Sequence, residues 1–198
     1  MTLQGDWFKH TFSEINEPSA RVQGARFEKC SFEKCVFTGA RFTESTFTDC
    51  VFDGCELSMI RVDGSTFQGV RFVNCRAMGI HWNAAAPMTF SVRFEKSRLD
   101  NSVFAGLKLK SLVVEESTAN GVDWSKCDLT GAKFPRSDLR GAILTGAVIR
   151  KAEFLDAEGF RFDSSSKAGQ TKVNLATAAQ ALADLGLLVP ELDHLLGR

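Results

Sequence analysis

Hydrophobic positions in this chain recur every five residues. Across residues 25–53, ARFEKCSFEKCVFTGARFTESTFTDCVFD, the period falls on Phe27, Phe32, Phe37, Phe42, Phe47 and Phe52. Two positions before each stands a small residue: Ala25, Cys30, Cys35, Ala40, Ser45 and Cys50. The register continues through Leu57, Val62, Phe67, Phe72, Ala77 and Trp82, then returns at Phe94 and holds through Leu99, Phe104 and Leu109 to Phe154. A period of five matches neither the 3.6 residues of a helical turn nor the alternation of an ordinary strand. Self-similarity over this many units predicts a repeat architecture.

Within a unit whose central residue is i, positions i−2 and i are apolar and i−1 is polar, as at Arg26, Arg41, Asp128 and Asp138. That is a short strand-like alternation with two side chains inward and one outward. Glycine recurs at i+2, for instance Gly24, Gly39, Gly64, Gly131 and Gly146, where the chain must bend. Each unit therefore makes one short side and a corner, and successive coils stack at the inter-strand spacing of ~4.8 Å. Cys35, Cys55 and Cys75 lie twenty residues apart, as do Arg21, Arg41 and Arg61. Recurrence at twenty predicts four units per coil and a square cross-section with like residues in ladders.

The units CDLTG, AKFPR, SDLRG, AILTG and AEFLD resemble the pentapeptide repeat family. The resemblance spans about residues 22–154. It implies an all-β solenoid, a right-handed quadrilateral parallel β-helix with i and i−2 inside. The organisation of the whole chain resembles the quinolone-resistance (Qnr-type) and topoisomerase-poison immunity branch of that family. This implies a rod-like homodimer that presents a duplex-like surface to DNA gyrase or topoisomerase IV and protects it from inhibitors, as antibiotic resistance or self-immunity. The alternative is a structural or protein-interaction scaffold whose partner is unrelated to topoisomerases.

Three segments are expected. Residues 1–21 read as an N-terminal cap coil, with Trp7 and Phe12 on the extrapolated register and a turn at 16–19. Residues 22–162 read as the β-helix, interrupted at 83–93 by NAAAPMTFSVR, where the register slips by two. Loops on rigid scaffolds carry function more often than the scaffold does, so Pro87, Met88 and Phe90 are candidate partner contacts. Residues 163–198 read as a linker followed by a helical segment, VNLATAAQALADLGLLV and PELDHLL. Its apolar residues Leu182, Leu185, Leu187, Leu188, Val189, Leu192 and Leu195 either cap the last coil or form the dimer interface.

Charge tempers the functional reading. With 24 basic and 24 acidic side chains, no global field draws the chain to nucleic acid, and neutrality is poor for a DNA mimic. Glu115, Glu116, Asp123, Asp128, Asp138, Glu153 and Asp156 are the outward acids a basic partner would meet, or else an ordinary solvated face. A continuous acidic column favours mimicry, and evenly mixed faces favour the scaffold. All six cysteines occupy the i−2 slot and read as small apolar filler rather than disulfides or metal ligands. His10, His81 and His194 have no ligand spacing, and no nucleophile elbow or phosphate loop occurs. The expectation is a non-enzymatic protein with no cofactor or metal, binding protein rather than nucleic acid or membrane. No signal-peptide pattern is visible, and the cytoplasm is the expected compartment.

Overall fold

The computed structural model describes residues 3–184. Short strands of two to four residues, all paired in parallel, stack into four columns that form the sides of a rod. Face 1 holds Asp6–Phe8, Arg26–Glu28, Thr46–Thr48 and Thr66–Gln68. Face 2 holds Thr11–Ser13, Ser31–Glu33, Val51–Asp53, Val70–Val73, Val92–Glu95 and Val113–Glu115. Single bridges build face 3 through Val36, Glu56, Arg76, Arg98, Thr118, Asp138 and Glu158. Face 4 runs from Arg21–Gln23 over Arg41–Thr43 and Arg61, and farther along the rod through His81, Val103, Asp123 and Ile143. Partners such as Phe27 and Phe47 are twenty residues apart, which is the square coil expected from the sequence.

The interior follows from the slots. Phe12, Phe32, Phe52, Phe72 and Phe94 form one ladder with ring centroids 4.4–5.1 Å apart. The backbone spacing between parallel strands matches the separation at which offset rings attract, so every coil adds area burial and a ring contact. Cysteine and serine at i−2 do more than fill space. Cys50, Cys55 and Cys75 aim their thiols at the carbonyls of Phe27, Phe32 and Phe52, each at 3.3 Å, and Ser65 donates to Phe42 at 2.6 Å. A small side chain with a donor thus satisfies a carbonyl of the coil below.

The corners require a left-handed backbone at i+2. Glycine supplies it at Gly64 (φ +67°), but Lys34 and Asn74 adopt it too, at φ +52° and +53°. The penalty for a side-chain-bearing residue there, ~1–2 kcal/mol, is offset by the strands the corner closes.

Two departures from the period are absorbed in different ways. At 83–93 the coil contains two extra residues, so Phe72 pairs with Phe94. The excess is wound into two 3₁₀ turns, Trp82–Ala84 and Pro87–Thr89, and the second packs on Thr66–Gln68 in the line of face 1. Residues 163–172, which the sequence suggests are a linker, stay on the coil. Val148 bridges Lys167 and Lys172–Val173 pairs with Glu153–Phe154, at a spacing of nineteen. Ser166 and Thr171 take over the i−2 role, donating to Leu144 and Ile149 carbonyls at 2.7 and 2.6 Å. The helix Leu175–Asp184 follows, with Asn174 Oδ1 accepting the Thr177 N–H at 2.8 Å as its N-cap.

Candidate protein-binding surface

The flat faces display side chains at i−1 and i+1 in fixed rows, so the surface is specified by which charge occupies which row. The acids singled out in the sequence separate onto different faces. Glu115, Glu116, Glu153 and Asp156 belong to face 2 and its corner with face 3. Asp138 lies on face 3, Asp123 on face 4 and Asp128 on face 1. No continuous acidic column runs through them. Along the corner of faces 2 and 3 Arg136 stands between Glu116 and Asp156, bonding Glu116 Oε1 by its Nε at 3.1 Å and Glu115 Oε1 by a terminal nitrogen, Nη2, at 2.9 Å.

Most of these carboxylates are already engaged. Glu115 also accepts from Arg93 at 2.7 Å, and Glu153 from Lys172 at 2.8 Å with Lys133 at 3.7 Å. Asp123 Oδ1 accepts the N–H and hydroxyl of Ser125 at 2.8 and 2.5 Å. Asp128 braces Thr130 in the same way, at 3.1 and 2.6 Å. These are local turn contacts of Asx type, which hold the corner rather than offer a free charge. The Arg140 guanidinium, with its Nε 2.9 Å from Asp138 Oδ1, holds that carboxyl below its ordinary range. Partial burial pushes the Asp128 carboxyl up, but the Thr130 bonds and Lys110 outweigh it and leave it lowered.

The interruption separates its three candidates. Met88 is 95 % exposed and Pro87 is exposed, at the rim of an open groove of about 610 Å³ completed by Gln68, Ser91, Gly106 and Lys108. Phe90 turns inward instead. It is 6 % exposed and its ring lies 6.0 Å from Phe67 and 5.8 Å from Trp82, because the 3₁₀ turn rotates an off-register residue into the core. It lines the floor of the groove rather than its rim. Of the candidate dimer residues, Leu182 is half-buried on the helix, and Leu185, Leu187, Leu188, Val189, Leu192 and Leu195 lie outside the described residues.

A charged surface that the sequence reading did not single out lies on face 1 beyond the interruption. Its three units and final bridge comprise residues 106–111, 126–131, 146–151 and 167, carrying Lys108, Lys110, Lys126, Arg150, Lys151 and Lys167, all exposed. Asp128 is the one carboxylate among them, and Lys110 pairs with it at 3.6 Å. The signal is in the sequence, but only when residues are sorted by position modulo twenty with a step of two at the interruption.

Comparison with known proteins supports the architecture. A model of the pentapeptide repeat region matches residues 25–90, and a model of pentapeptide repeats in eight copies matches residues 114–157, together more than half of the chain. A structure of trypsin-treated QnrB1, a plasmid-mediated fluoroquinolone resistance protein, is similar at 20 % identity, covering 93 % of this chain and 99 % of that one with a TM-score of 0.52. HetL, a pentapeptide repeat protein involved in heterocyst differentiation regulation from the cyanobacterium Nostoc sp. strain PCC 7120, is similar at 14 % identity, with 88 % and 86 % covered and a TM-score of 0.48. No curated protein sequence matches the chain. With its five-residue register, its twenty-residue coils and the two matching models, the chain belongs to the pentapeptide repeat family.

Proposed function

We propose that the chain is a non-enzymatic protein-binding rod that acts by presenting its faces to a protein partner. The observation that carries this reading is the division of labour between slots. Interior positions are consumed by packing and backbone hydrogen bonding, while the outward rows and the exposed Met88 are held in fixed geometry. A surface so ordered needs little further ordering on association, which lowers the cost of binding. We place the protein in the cytoplasm, where its six free cysteines would stay reduced. We further propose a homodimer through the C-terminal segment: sedimentation of Leu185→Asp as a dimer would exclude that segment as the interface.

A second reading, binding to DNA gyrase or topoisomerase IV with protection from inhibitors, is favoured by the likeness to QnrB1 along nearly all of both chains. The charge pattern constrains it. With Arg136 between Glu116 and Asp156, a topoisomerase would meet a mixed surface rather than a phosphate-like column. The test is a gyrase supercoiling titration with and without a fluoroquinolone. Rescue of supercoiling at up to micromolar protein supports the topoisomerase reading. Neither rescue nor inhibition removes it and leaves the protein-binding rod with another partner, sought by affinity capture.

A further inference from the structure

Five cations on face 1 beyond the interruption have no carboxylate within ion-pairing distance among the described residues: Lys108, Lys126, Arg150, Lys151 and Lys167. They occupy successive coils, because Lys108 bridges Asp128, Asp128 bridges Val148 and Val148 bridges Lys167. Lys126 extends over Gly146 and Arg150 over Gly169, so their stems lie along the rod rather than away from it. Holding like charges on neighbouring coils is unfavourable at ~5 Å spacing, and face 2 shows the usual remedy: Arg93 is bracketed there by Glu95 and Glu115. Face 1 lacks that remedy for these five. At its end nearest the interruption, the basic strip runs into the groove of Pro87, Met88, Phe90 and Lys108.

We propose that this strip and groove form one docking surface for an acidic segment of a partner protein, with the carboxylates along face 1 and one apolar side chain against Met88. The inference rests on the protein-binding reading above and assigns it a face. Two features favour a peptide over nucleic acid. A phosphate backbone following the column would cross Asp128 midway, whereas a peptide can place a neutral residue there. Met88, 95 % exposed beside the groove, offers apolar contact area that a phosphate backbone cannot use. Uncompensated cations also steer an acidic partner before contact, which makes the interaction sensitive to salt.

The test uses the full chain and a fluorescein-labelled peptide of glutamate and aspartate with a Leu-Leu centre, followed by anisotropy over a salt series. The expected result is binding that weakens with salt and falls at least ~tenfold in Lys126→Glu/Arg150→Glu. Loss of the apolar contact in Met88→Ser should weaken it about threefold, and Arg21→Glu/Arg41→Glu on face 4 should leave it unchanged. Lys126→Gln/Arg150→Gln, which removes charge without reversing it, guards against misfolding and should give an intermediate loss. Failure of the peptide to bind, or equal loss from face 1 and face 4 variants, overturns the assignment. So does tighter binding of a single-stranded oligonucleotide of equal charge that ignores Met88→Ser. If affinity capture returns the same partner with the face 1 variant as with the unaltered chain, the protein-binding reading stands and this surface does not.

Discussion

Replacing Phe47 by alanine should cost the rod ~3–5 kcal/mol. Phe47 is fully buried and stacks between Phe27 and Phe67 with centroids 4.9 and 5.0 Å away, while Phe42 meets it edge-on at 5.6 Å. A phenylalanine buries roughly 150–250 Å², and at ~25 cal/mol per Å² the part lost to alanine is worth about 3 kcal/mol. The two stacked contacts add ~0.5–1.5 kcal/mol each beyond area. Backbone pairing fixes the coils above and below, so the void has little room to collapse, and the upper half of the range is expected. The assay is equilibrium urea denaturation. With a slope of ~2 kcal/mol per molar urea, the midpoint should fall by about 2 M. Phe8→Ala is the control. Phe8 sits on the same face, one residue from the neighbouring ladder position Trp7, but is 59 % exposed and should change stability by no more than ~0.5 kcal/mol. A Phe47→Ala melt within ~1 kcal/mol of the unaltered protein would refute the inward ladder as the source of stability.

Other expectations follow from the corners and the titratable groups. Gly159→Ala should destabilise more than Gly24→Ala in thermal melts: both have positive φ, but a Cβ at Gly159 would come within 2.9 Å of the Arg140 Cα, while at Gly24 it meets nothing. Burial pushes the Cys50 and Cys127 thiols up to about 12 from the ordinary 9.0. Their contribution is therefore complete below pH 9 and is lost as pH rises through 12, and native-state alkylation at pH 8 should leave both unmodified until urea unfolds the chain. Asp138, held low by Arg140, contributes stability above its ordinary value of 3.8 that is lost as pH falls further. Asp138→Asn should flatten that acid limb, by no more than ~1 kcal/mol because the guanidinium partner is solvent-exposed.

The ladders were legible because each slot demands one kind of side chain and the demand repeats at a fixed count. Phe27, Phe47 and Phe67 declare their contact in the sequence alone. The slip at 83–93 was legible for the same reason, as an arithmetic defect. Its internal geometry was not: once Phe90 leaves the period, nothing local shows that a 3₁₀ turn returns its ring to the core. Residues 163–172 misled because their serines and glycine carry a linker's composition, while Ser166 and Thr171 perform the bonding that cysteine and serine perform elsewhere. The candidate surface was the least legible part. Acids adjacent in sequence, such as Asp123 and Asp128, fall on different faces, whereas Lys108 and Lys167 share one.

The five-residue side makes residue count an angular coordinate, save where 3₁₀ turns take up an excess as they do at 83–93. Deleting one full coil between Ala25 and Trp82 would shorten the rod by ~4.8 Å and return every later residue to its own side. Deleting five residues between Phe94 and Lys108 would advance everything downstream by a quarter turn, carrying Lys126 and Arg150 away from Met88 with their chemistry unaltered. Length changes made within the regular coils are therefore steering operations, and there only multiples of a coil leave the heading intact.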